Sequence, residues 1–102
     1  MSSNSKSLGS PLAVEVEIRS EKASAMRRVA QKVESLLAEL SKVEQASLGT
    51  QGDVRARHVA RHQELRAEAE KQRWYLIVQR EAMGLWHHGD IEELYRLPSP
   101  LR

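Results

Sequence analysis

His58 and His62 stand four residues apart in a stretch without Pro or Gly, a spacing that sets two imidazoles on one helix face, as metal sites require. Their surroundings point elsewhere. Arg55, Arg57, Arg61 and Arg66 crowd the pair, and the nearest downstream carboxylates are Glu64 and Glu68, so an incoming cation would meet repulsion. The two histidines are read instead as part of a solvated basic face or as polar positions in a helix seam. His87 and His88, close to Asp90, Glu92 and Glu93, collect similar ligand types on a turn punctuated by Gly89, which holds no fixed geometry. The chain has no Gly-rich phosphate loop, no recognisable Ser/His/Asp order and no paired carboxylates in an apolar setting. It also has no Cys, which excludes disulfides, thiolate chemistry and Cys-ligated zinc. A non-enzymatic protein without metal or cofactor is expected.

Two other groups of residues suggest binding. Arg55, Arg57, Arg61 and Arg66, interleaved with the two histidines, form the most cationic window, and clustered guanidinium groups on one face neutralise phosphates. Against a nucleic-acid partner, Glu64, Glu68 and Glu70 alternate with Arg61, Arg66, Lys71 and Arg73 at the three- and four-residue spacings of a helix laced by ion pairs. The formal net charge is only +2. The second group is aromatic. Trp74, Tyr75, Trp86 and Tyr95 all lie in the last third of the chain, and with Ile77 and Val78 they form the candidate protein interface, because Trp and Tyr dominate interface hot spots. They could equally close the open end of a hairpin against a third helix.

Helices must position these groups. Residues 1–12, rich in Ser with Gly9 and Pro11, are expected to be a disordered tail. Ala13 to Ile18 alternates apolar and acidic residues as a strand would, but no second strand is evident to pair with it, so a helix entry is preferred. From Ser20, a plausible N-cap, Met26, Val29, Val33, Leu36, Leu40 and Val43 recur at alternating three- and four-residue steps, the stripe of a heptad. Gly49 and Gly52 supply a reversal, with Asp53 as the cap of a second helix from about Val54 to about Leu85. Asp90 caps a short third helix, Ile91 to about Arg96, before Pro98 and Pro100 impose an extended tail over residues 97–102.

The expected fold is all-α: a long antiparallel, coiled-coil-like hairpin with a short C-terminal helix over residues 13–96, assembling into a dimeric four-helix bundle. The Met26–Val43 stripe and a Leu65–Trp86 face would lie inside. Five consecutive apolar or aromatic residues, Trp74 to Val78, wrap most of a helical circumference, so one partner helix cannot cover them all. That run is far shorter than the ~20 residues of a membrane span. The expectation is a soluble, cytoplasmic homodimer that binds a protein partner through its helix surface, with nucleic-acid binding through the basic window as the second reading and no membrane partner. Both parallel and antiparallel dimers fit the heptad pattern, which carries few register-setting polar residues.

Overall fold

A computed structural model describes residues 11–102. These form three helices: α1 (Pro11–Ser47), α2 (Gly52–Ala82) and the short α3 (Gly89–Leu94). There is no strand among the described residues. The Ala13–Ile18 alternation is helical, the first turns of α1. That helix begins at Pro11, well before the expected cap at Ser20, which is an interior helical position. Proline at the first helical position lacks only an N–H that would have no intrahelical partner, and no breaker follows it. Helix therefore replaces the expected tail at Pro11 and Leu12, while residues 1–10 lie outside the described structure.

The reversal falls where Gly49 and Gly52 permit it, with φ of 74° and 61°. It is tied down by side chains as well. The last carbonyl of α1, that of Ser47, accepts from the Thr50 hydroxyl at 2.6 Å, from the Thr50 N–H at 3.1 Å and from Arg55 Nη1 at 3.2 Å, so an orphan carbonyl of the helix end is satisfied three times over. Gln51, not Asp53, occupies the N-cap of α2, and its side chain makes no cap bond. Asp53 sits in the first turn, where its charge complements the helix dipole. At the other end α2 stops at Ala82, three residues before the expected Leu85. Gly84 adopts φ 85°, its N–H reaches the Glu81 carbonyl at 2.9 Å, and the Leu85 N–H reaches that of Arg80 at 3.0 Å, a paired closure that only a left-handed residue allows. α3 likewise starts earlier than expected: His88 is its N-cap and Asp90 lies in the first turn.

The two long helices pack antiparallel along a heptad seam. From α1 come Val33, Leu40 and Ser47, each seven residues after the last and each buried, with Leu36 and Val43 partly buried between them. From α2 come His62, Leu65, Ala69, Gln72 and Leu76, again at alternating three- and four-residue steps. Leu40, Leu65 and Ala69 form the central cluster. Their register places Glu44 beside His62 and Leu40 beside Leu65, so Ala82 lies level with about Ala23. The first part of α1, Pro11 to Lys22, therefore projects past the end of α2 by about 18 Å at ~1.5 Å per residue. The result is a thin rod, about 55 Å along α1 at ~1.5 Å per residue.

After α3 the chain does not project away from the rod. The Tyr95 hydroxyl donates to Glu34 Oε1 at 3.0 Å, Leu97 packs on the Leu40 cluster, and the Pro98 carbonyl accepts from Arg66 Nε at 2.7 Å. The final carbonyl, that of Arg102, accepts from Arg55. The extended tail thus runs back along the hairpin toward its loop, as a strap.

Because the seam is narrow, its central residues should dominate stability. Leu40→Ala is expected to cost about 2–5 kcal/mol in urea unfolding followed by circular dichroism, through lost burial and the cavity left behind. Leu48→Ala, at a position 70% exposed, should stay within about 0.5 kcal/mol.

Candidate functional site

Three regions carry the residues singled out by the sequence: the aromatic side of α2, the basic window and the turn before α3. On α2, Trp74 and Tyr75 fall outside the seam positions Gln72 and Leu76, and the fold leaves them uncovered. Trp74 is 58% exposed, while Tyr75 and Val78 are exposed to a lesser degree. Their rings lie 5.4 Å apart at 56°, and Lys71 Nζ sits 5.9 Å from the Tyr75 centroid, an exposed cation–π contact that steadies the ring. Ile77 is half-buried and lines a surface depression with Trp74, Lys71 and Arg73. Trp86 is 67% exposed in the turn beyond α2, outside the seam of the hairpin. Of the four aromatics, Tyr95 is the one that packs back on α1, through Glu34. The expected closure of the open end by aromatic side chains is made instead by Ile91, the buried residue of α3.

The basic window is divided among several partners. Arg55 and Arg66 donate to carbonyls of the C-terminal strap, and Arg55 also donates to the end of α1. Arg61 reaches Glu39 at 3.5 Å and Glu64 at 3.4 Å. Arg57 is exposed. His58 is half-buried, whereas His62 is completely buried in the seam, its Nε2 3.0 Å from Glu44 Oε1. An ionised carboxylate only accepts, so Nε2 carries the proton; Nδ1 has no hydrogen-bond partner. The same i, i+4 spacing that brought the histidines to one face therefore separates their roles. His62 belongs to the helix–helix packing, and His58 borders it.

The turn before α3 is organised by Arg80. Its guanidinium grips Asp90 through both carboxylate oxygens, at 3.0 and 3.3 Å, and donates to the His87 carbonyl at 3.1 Å. His88 Nε2 lies 3.1 Å from Glu81 Oε2. Of the histidines and acids that resembled a ligand set, Asp90 and His88 are thus separate ties that hold α3 onto α2, and His87 contributes its carbonyl. Hydrogen bonds from Arg80 hold the Asp90 carboxyl below its ordinary value. The Tyr95 hydroxyl is pushed up, first by burial and then by the Glu34 carboxylate it bonds. Among the described residues no three His, Cys, Asp or Glu side chains gather as a metal site.

Between α1, the end of α2 and α3 lies an open apolar groove of about 320 Å³, with Met26, Leu76, Leu85, Ile91 and Leu94 in its walls. Sequence reasoning did not identify it, since its walls come from all three helices and the turn between two of them. Nor did it identify the Arg80 clamp, whose partners are separated by a turn of unpredictable path. The comparisons add nothing to this geometry: no protein-family model, no curated protein and no solved structure matches the chain.

The Asp90 clamp has a pH signature. A carboxyl lowered in the folded state adds stability above its unfolded value and loses it as pH falls through the folded one. Docking of α3 should therefore loosen below about pH 4. Carbon-detected NMR titration should show Asp90 moving back up to its ordinary value in Arg80→Ala; an identical titration in both proteins would contradict the clamp.

Proposed function

We propose that this chain is a non-enzymatic helical interaction protein, a small adaptor, chaperone-like or regulatory subunit that self-associates and binds protein through its helix surface. The observation that carries this reading is the exposure of Trp74 and Trp86 beside a seam that is complete without them. Exposed large aromatics close to arginines, on a rod with little buried core of its own, match the composition of interface anchors. No helix among the described residues is long and apolar enough to cross a membrane, so these apolar surfaces do not belong to a spanning helix. In sedimentation equilibrium over a dilution series, the full chain should behave as a dimer. Trp74→Ala and Trp86→Ala together should raise its dissociation constant by about tenfold or more, the scale of losing hot-spot side chains. An unchanged dimer would rule out the aromatic anchors.

A second reading is nucleic-acid binding through Arg55, Arg57, Arg61 and Arg66. It draws support from the exposure of Arg57 and from the fact that the neutral Pro98 carbonyl, the partner of Arg66 in the strap, leaves that guanidinium charge unneutralised. It is the weaker reading because a phosphate would have to displace the strap at those two residues and compete with Glu39 and Glu64 at Arg61. It requires binding to a duplex oligonucleotide that weakens steeply with salt, with Arg57→Ala reducing the salt slope by about one unit. Salt-independent or absent binding would dispose of it.

A further inference from the structure

The part of α1 that projects past α2 is apolar on more than one side. Leu12 and Val16 are 70% and 61% exposed, and Val14 and Ile18 are exposed to a lesser degree. At ~100° per residue, Leu12, Val16, Ala23, Met26 and Ala30 fall within about 80° of one another around α1. The last three line the apolar groove at the open end, opposite Leu85, Ile91 and Leu94. The bare projection and the groove are thus one continuous strip, covered along part of its length by α3 and open along the rest. Leu94 and Trp86, exposed by 70% and 67%, stand at the same end of the rod.

The charges beside this strip are self-complementary, Glu17 and Glu21 lying around the far side of the helix. Glu15, Arg19 and Lys22 are exposed, and none of them takes part in an ion pair among the described residues. If two copies of the projection cross antiparallel about a two-fold axis near residues 17 and 18, positions whose numbers add to about 35 meet. Leu12 of each copy then reaches the level of Ala23, the mouth of the other copy's groove. Glu15 falls between Arg19 and Lys22 of the facing helix, and Val16 lies against the aliphatic stem of Arg19. A parallel pairing would set each of these charges against its own kind.

We infer that the open end is the self-association surface: a second copy of this chain lays its Pro11–Lys22 projection antiparallel along the first and seats Leu12 in the groove formed by α1, α2 and α3. The inference rests on the self-association reading above and specifies its surface: Trp86 stands at the paired end, so it is the aromatic anchor through which the tryptophan substitutions would weaken this dimer. An isologous contact of this kind closes after two copies, because each projection is used once.

The test is sedimentation equilibrium of the full chain and of variants in the projection, which contributes nothing to the α1–α2 seam. Leu12→Asp with Val16→Asp should raise the dimer dissociation constant at least tenfold with helix content unchanged. Glu15→Lys should weaken the dimer severalfold, and adding Arg19→Glu and Lys22→Glu to it should restore most of the loss. The restoration keeps the test valid if the aspartate variants fray α1. A wild-type dimer that is indifferent to every one of these changes, yet weakened by the Trp74 and Trp86 substitutions, would overturn the open-end pairing and leave self-association standing. A wild-type monomer at all concentrations would overturn both. Loss of dimer in the aspartate variants without restoration by the charge exchange would overturn the antiparallel arrangement.

Discussion

The packing of Leu40 against Leu65 and Ala69 is the contact on which everything else is hung. It fixes the register of the two long helices, and the register decides what lies opposite what. With Leu40 level with Leu65, Glu44 meets His62, the first turns of α1 run out beyond Ala82, and the turn after α2 folds α3 back over Met26 instead of over the loop. The seam is only one heptad stripe wide. Two packed helices have one interior line, so five of the six buried apolar residues among those described lie on it, Ile91 of α3 being the sixth, and large side chains elsewhere on either helix remain at the surface. Surface exposure of Trp74 follows from its position two residues past Gln72, on the side of α2 that faces away from α1.

The chain's polar groups do much of the positioning that apolar residues do in thicker domains. Arg80 binds the turn and α3 through Asp90 and the His87 carbonyl; Arg66 and Arg55 hold the strap; Tyr95 spans to Glu34. Each is a contact at or near the surface, worth little alone, and together they determine the path of the last twenty or so residues. The strap has a consequence for function, since it engages two of the four arginines of the basic window. The cationic surface seen in the sequence is consequently a different surface in the folded chain, with Arg57 its least engaged member.

Much of the architecture was legible in the residues. The apolar stripe of α1 from Met26 to Val43, the glycines at 49 and 52 and the long run without breakers in α2 specify two helices that reverse and pack. What stayed hidden has identifiable causes. His62 takes the second of the two places the sequence offered the histidines, a polar seam position, whereas the polarity of Gln72 conceals the heptad that continues through it to Leu76. The helical start at Pro11 lies inside the Ser-rich stretch whose composition reads as a tail, so the first turn carries no apolar pattern of its own. The groove depends on how three helices meet, and the strap depends on side-chain bonds between residues more than thirty positions apart, which no local pattern encodes.

Both the narrow seam and the bare projection of α1 lead to one physical claim: the rod is completed at its open end by another copy of itself. Small-angle X-ray scattering on the full chain over a concentration series tests it most directly, because it reads mass and length together. Pairing through the projections predicts a particle of about twice 11.6 kDa with a longest dimension on the order of 100 Å, because Ser47 at the loop end of α1 lies about 45 Å from an axis near residues 17 and 18. A doubled mass with the length of a single rod would mean that the rods lie side by side, and a single-chain mass at every concentration would mean that the open end stays bare; either would contradict it.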